Sequence, residues 1–333
     1  MTAPLDMRID VSDAIGLADA QIAMSVFLPD PQRLPDTPIV LFASPGGGYA
    51  RGYFDIHVEG HVGYSEAEYH VARGFIYIAY DHLGVGDSTT RYNADIRMET
   101  IAAANDAAVR QILAQLAEGT LAPGFPPVEK PFVVGSGQSL GGGLTMIMQG
   151  RHHTFDAIAP LGVSGTHTVL PQPNAELARL TRSTYVFTRG TPNAELVQQR
   201  GQKANPDWVY PFHWEDVPAD ILKADMEAGY PARKTAPAWG SLTLPPCVIG
   251  SNSPHFFAAE VSQIDVPVLL AMGERDVCPE PHREPAAFTA SPDISLFIAP
   301  TMAHMHNFAS SRAKLWARLN SWAQMIAGAA RDA

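Results

Sequence analysis

Residues 131–143 read Pro-Phe-Val-Val-Gly-Ser-Gly-Gln-Ser-Leu-Gly-Gly-Gly, and their reading decides the fold. Phe132, Val133 and Val134 form a short β-favouring apolar run, and residues 140–148 carry apolar side chains at helical spacing. A buried strand, a tight turn and a helix are therefore crowded around one serine. A strand that turns at once into a helix leaves no room for Cβ atoms at Gly137 and Gly141, two residues either side of Ser139. Such a turn holds Ser139 in a strained conformation with its Oγ above the sheet. It also sets the N–H of Leu140 at a helix N-terminus, where an oxyanion can bind.

This G-x-S-x-G turn, flanked by strand and helix, resembles the nucleophile elbow of the α/β-hydrolase family. The resemblance implies a doubly wound, mostly parallel sheet, the α/β-hydrolase fold, and acyl transfer from a serine. The rest of the chain is compatible with it. The 333 residues suffice for one large α/β domain with an insertion, and 46% hydrophobic against 17% charged residues leaves ample core. A net charge of −11 without any basic run argues against nucleic acid or an anionic membrane as partner. Cys247 and Cys278 make neither a disulfide framework nor a zinc-ligand spacing, and they suit a reducing compartment. Residues 1–13 contain no apolar stretch behind basic residues, and no segment is long and apolar enough to span a bilayer. The expectation is a soluble cytoplasmic protein with a small-molecule substrate.

Along the chain, residues 7–11 and 21–27 alternate as an opening antiparallel hairpin, and 38–42 and 75–80 are buried strands. Residues 98–117 form a surface helix with Asn105 and Asp106 on its wet side, and 157–161 is a sixth strand. From 166 to 260 the alternation fails, leaving helical pieces at 175–182, 194–202 and 219–228 among several prolines. Strands at 266–272 and 294–298 and a helix at 313–326 then restore it. The pattern predicts a core of residues 1–165 and 261–333, interrupted after the sixth strand by a helical cap of residues 166–260.

A serine hydroxyl needs a base within reach and a group to orient that base. The resemblance places both at the carboxyl ends of later strands. Gly273-Glu274-Arg275-Asp276 is similar to the family's strand-following G-x-x-D, which assigns the acid to Asp276 over Glu274 and Glu280. Ala303-His304, past the last strand, fits the family's histidine turn, with Ala303 where many members have glycine and His306 as rival base. The resemblance puts the second oxyanion donor in the loop after the third strand, here Ser44-Pro45-Gly46-Gly47-Gly48 with Pro45 where the family often has histidine, and Gly47 is the first choice and Gly48 the second. Residues 81–88 resemble the family's D-x-x-G-x-G-x-S loop and read as structural.

Other signals are weaker. His57 and His61 lie four apart, but Gly60 interrupts their helix, so no metal site is expected. Gly84 and Gly86 lack the third glycine of a dinucleotide fingerprint, His152 and His153 read as a solvated helix end, and Cys278 carries no mark of a nucleophile. Trp208, Tyr210, Phe212 and Trp214 put four aromatics into seven residues of the insert, with Tyr185, Phe187, Phe256 and Phe257 nearby in sequence. They form either the cap's own core or the roof of an apolar pocket. The reading is a serine hydrolase of a carboxylic ester or lactone of a bulky apolar or aromatic molecule. It works through an acyl-enzyme, with Ser139, Asp276 and His304 as triad and no cofactor. A C–C bond hydrolase or acyltransferase on the same residues and a non-catalytic binder are the alternatives. A serine at the elbow argues against epoxide hydrolases and haloalkane dehalogenases, whose elbow residue is Asp.

Overall fold

The computed structural model describes residues 3–182, 186–201, 206–227, 229–230 and 233–332. Its strands are β1 (Leu5–Asp10), β2 (Gln21–Phe27), β3 (Ile39–Ser44), β4 (Ile76–Tyr80), β5 (Phe132–Gln138), β6 (Ala157–Leu161), β7 (Val268–Arg275) and β8 (Ile294–Ala303). The helices of the first half are α1 (Ser12–Ile15), α2 (Glu66–Val71), α3 (Met98–Glu118) and α4 (Leu140–His152). Between β6 and β7 lie α5 (Ala175–Arg182), α6 (Asn193–Gly201), α7 (Val209–Phe212), α8 (Ala219–Met226) and α9 (Ala258–Val261), with no strand among the described residues. The long helix α10 (Arg312–Asp332) follows β8.

All eight strands join one sheet in the order β1-β2-β4-β3-β5-β6-β7-β8. β1 pairs antiparallel with β2, and β2 with β4; every other pairing is parallel. Every residue of β3 to β6 is buried, as a sheet covered on both faces requires. Along β3 the faces alternate: Val40 and Phe42 join the cluster that includes Ile101, Ala108 and Leu144 of α3 and α4. Leu41 and Ala43 join Leu315, Leu319 and Trp322 of α10. This is the doubly wound arrangement predicted above.

β1 and β2 pair antiparallel as the opening hairpin, with α1 in the connection between them. One local reading changes. Asn105 is fully buried, since it shares the inward stripe of α3 with Ile101, Ala108 and Val109; only Asp106 reaches solvent.

At the turn between β5 and α4 the backbone segments nearly touch. A Cβ at Gly137 would lie 2.2 Å from the carbonyl carbon of Gly141, and one at Gly141 would lie 2.0 Å from the Ser44 carbonyl oxygen. The obstacles are backbone, so no rotamer change relieves them. Gly141→Ala is therefore expected to lower the thermal midpoint sharply. Gly328→Ala, in the interior of α10 with nothing within 4 Å of the new methyl, is expected to stabilise by about 0.5–1 kcal/mol. Thermal melts of the two variants check both directions.

Candidate active site

Ser139 stands between β5 and α4 with φ 55° and ψ −117°, a left-handed region that few non-glycine residues occupy. Its N–H donates to the Leu161 carbonyl of β6 at 2.7 Å, and its own carbonyl accepts from Gly143 N–H at 3.0 Å. The turn is thereby held from both sides, and the side chain points away from the sheet.

His304 and Asp276 come from the loops after β8 and β7, which are parallel neighbours. His304 Nε2 lies 2.9 Å from Ser139 Oγ, and His304 Nδ1 lies 2.6 Å from Asp276 Oδ1. With Nδ1–H donating to the carboxylate, Nε2 is left as the acceptor facing the serine hydroxyl. Asp276 is buried and accepts two further backbone donors, Val277 N–H on Oδ1 at 2.7 Å and Gly273 N–H on Oδ2 at 2.8 Å. Burial pushes its carboxyl up, but the charges and hydrogen bonds of His304 and His306 outweigh burial and hold it well below the usual carboxylate range.

His306 supplies the fourth donor. Its Nε2 lies 2.7 Å from Asp276 Oδ2, on the far side of the carboxylate from His304. Of the two histidines, His304 is the one that reaches Ser139. Glu274 is turned away, accepting the Thr301 N–H at 2.9 Å.

The loop after β3 abuts the serine: a Cβ at Gly46 would lie 3.2 Å from Ser139 Cβ. Gly47 and Leu140 both line the cavity above Ser139, and the Leu140 N–H belongs to the first turn of α4, which has no acceptor within the helix. Gly48 lies under the Tyr230 ring instead, where a Cβ would come within 2.7 Å of it, and its φ of 82° independently calls for glycine. The carbonyls of this loop are held from elsewhere. Gly46 O accepts Tyr49 N–H at 3.1 Å, Gly47 O accepts the Tyr230 hydroxyl at 2.8 Å, and Gly48 O accepts Ser241 N–H at 3.0 Å.

The cavity is apolar over most of its wall, through Leu140, Val163, Leu244, Val248, Ile249 and Phe257. Trp208 and Phe212 close it from the insert; their rings sit 5.4 Å apart, and Phe212 lies 5.3 Å from the His304 ring. Tyr210 and Trp214 require correction. They hold the guanidinium of Arg275 between them, 4.1 and 4.7 Å from the ring centres, and do not line the cavity. For Tyr210 the reason is helical phase, since 208 and 212 share one side of the α7 turn and 210 faces the other; Trp214 lies beyond the helix, past the extended His213. Phe257 lines the cavity, Phe187 packs with Leu196 and Ile249, and Phe256 packs beneath Arg189. Tyr185 lies outside the described residues.

Several residues around the site carried no sequence signal. Gln138 donates from Nε2 to the His304 carbonyl at 2.8 Å. Asp225, fully buried, accepts Tyr49 Oη at 2.7 Å, His213 Nε2 at 2.9 Å, and Arg233 Nη2 and Trp239 Nε1 at 3.0 Å each. Burial opposes its ionisation, and the partners, His213 first, more than compensate, so its carboxyl sits below the usual range. The remaining histidine pair is dispersed, His57 facing Asp55 and His61 facing Asp220. Among the described residues no three His, Cys, Asp or Glu side chains are grouped to hold a metal, and no helix is long and apolar enough to cross a membrane.

No protein-family model matches the sequence, and no curated protein matches it. Solved structures do match in shape. A proline iminopeptidase from Mycobacterium smegmatis is 17% identical, with a TM-score of 0.63 over 98% of this chain and 100% of that one. A haloalkane dehalogenase loop variant from Bradyrhizobium elkanii is 14% identical, with a TM-score of 0.62 over 99% of both chains. A thermophilic esterase from Thermogutta terrifontis is 12% identical, with a TM-score of 0.61 over 97% of this chain and 99% of that one. With the strand order above, these likenesses establish that the chain has the α/β-hydrolase fold.

Asp225→Ala would leave Arg233 buried without its counter-charge. The expected cost is about 3–5 kcal/mol, read as a lower thermal midpoint and as faster amide exchange in residues 206–227.

Proposed function

We propose that this chain is a serine hydrolase that cleaves a carboxylic ester of an apolar small molecule through an acyl-enzyme. The observation that carries the reading is the continuous hydrogen-bonded chain from Ser139 Oγ through His304 to Asp276, opening into an apolar cavity. Ser139 Oγ attacks the ester carbonyl while His304 Nε2 takes its proton. Asp276, held ionised by four donors, stabilises the imidazolium so formed. The Leu140 and Gly47 N–H groups take the oxyanion. His304 then protonates the departing alkoxide, and water repeats the cycle in reverse to release the acid. That the structural neighbours include an esterase and a peptidase agrees with acyl transfer as the reaction class. Among the described residues no Asp or Glu lines the cavity, so nothing there favours a cationic substrate.

Ser139→Ala is expected to lower kcat on 4-nitrophenyl esters by several orders of magnitude without lowering the thermal midpoint, because the elbow geometry comes from its glycines. Retention of more than a few per cent of activity would remove Ser139 from the mechanism. His304→Ala should match that loss, since nucleophile and base act as one unit. His306→Ala should fall between it and the wild type, because it loosens Asp276 without touching the serine. The opposite ranking would move the base role to His306.

The aromatic residues of the insert separate by side. Trp208→Ala should lower kcat/KM for a bulky aromatic ester relative to an acetate, by about 1–3 kcal/mol. Trp214→Ala should leave that ratio alone and loosen the packing around Arg275. Assaying both variants on the two esters, with a melt beside them, tests the assignment; equal loss on both esters in Trp208→Ala would contradict it.

A further inference from the structure

Among the described residues one arginine or lysine faces the apolar cavity without a counter-charge. Arg200, at the C-terminal end of α6, lines it together with Ser139 and is half-buried. Three other arginines of and beside the insert are neutralised. Arg189 pairs with Glu260 and Glu99, Arg233 with Asp225, and Arg275 with Glu215. Arg200 has no hydrogen-bond or ion-pair partner among the described residues, in a chain with 34 carboxylates and 23 Lys and Arg. Its position is set by packing, because Leu196, one helical turn earlier, is buried against Phe187 and Ile249. Ile249 belongs to the 3₁₀ segment Pro246–Asn252, whose last residues, Ser251 and Asn252, also line the cavity. A guanidinium, a hydroxyl and an amide are therefore brought to the same cavity by two elements that pack on one another. Arg200 is also near enough to Tyr230 for its charge to act on that hydroxyl, where burial and then Arg233 act more strongly.

A half-buried guanidinium in an apolar, carboxylate-free cavity has a strong preference for one kind of ligand. It pairs with a planar anion in a bidentate geometry, and desolvation by the surrounding apolar wall strengthens that pair. An uncharged substrate would leave the guanidinium facing apolar atoms. We propose that Arg200 receives an anionic group, a carboxylate, on the non-reacting end of the substrate, with Asn252 completing the polar subsite; the Ser251 hydroxyl beside it is already donated to the Val248 carbonyl at 2.7 Å. The inference rests on the ester-hydrolase reading and narrows its substrate class to apolar esters that carry a free acid.

The test compares two esters of similar length, 4-nitrophenyl hydrogen adipate, which ends in a carboxylate, and 4-nitrophenyl heptanoate, which ends in a methyl group. The wild type should favour the anionic ester in kcat/KM. In Arg200→Gln the ratio of the two kcat/KM values should fall roughly ten- to a hundredfold, the range of one charge-assisted hydrogen bond. Arg200→Lys should restore part of it. An unchanged ratio in Arg200→Gln overturns the proposal. If neither ester is turned over, the hydrolase reading fails, and the subsite is then tested alone. Monomethyl adipate is titrated calorimetrically into the wild type and Arg200→Gln. Binding at least tenfold weaker in the variant supports the subsite; equal or absent binding overturns it.

Discussion

Beneath Ser139 three backbone segments pass closer together than a Cβ atom permits. The end of β5, the start of α4 and the loop after β3 meet there without side chains between them, through Gly137, Gly141 and the Ser44 carbonyl. That contact is what forces the chain to reverse direction over a single residue. Because the reversal happens at Ser139, the strain of a positive φ falls on the residue whose hydroxyl must project. Everything else in the site is placed relative to this contact. β6 takes the Ser139 N–H, and β7 and β8 follow in register as parallel neighbours. Their outgoing loops then deliver Asp276 and His304 to the same end of the sheet. The spacing between Ser139 and its partners is thus a consequence of strand order.

The insert is bound to this core by apolar contact, through Phe212, Ile221, Trp239 and Phe257, and by buried charge. Asp225 collects donors from the loop after β3, from the end of α7 and from the chain beyond residue 232. Such a hub is costly when incomplete and rigid when complete. The same insert also ties down the carbonyls of Gly47 and Gly48 through Tyr230 and Arg233. In a trans peptide the N–H points opposite to the carbonyl that precedes it. Fixing those carbonyls therefore fixes where the adjoining N–H groups aim.

The core, and the grouping of the candidate residues Ser139, Asp276 and His304, were legible from the sequence because they rest on short local patterns. A strand, two glycines and a helix announce Ser139, and continuous apolar runs announce the parallel strands. Asn105 was misread because residues three and four apart on α3 face the core whether they are polar or not. Within the insert the helical pieces at 175–182, 194–202 and 219–228 were legible and correspond to α5, α6 and α8, but not how they pack, since that depends on contacts distant in sequence. Tyr49 to Asp225 and Gly47 to Tyr230 each span more than 170 residues. Tyr210 and Trp214 look like Trp208 and Phe212 in composition; the phase of one helical turn, and the point at which the chain leaves it, separate wall from exterior. His306 differs from His304 by two residues, and its place on the opposite edge of Asp276 is a matter of backbone path.

Immediately beyond β8, the N–H groups of His304 and Met305 donate to the carbonyls of Pro211 and Phe212 at 3.0 and 2.9 Å. The roof and the histidine loop thus share a short main-chain ladder. A roof fastened in this way cannot swing upward without unseating the imidazole, so anything entering the cavity has to pass beside it. The same ladder limits modular exchange. A foreign insert spliced between β6 and β7 would bring a new cavity wall, but unless it returned two carbonyls to the same spot, the histidine would lose its footing.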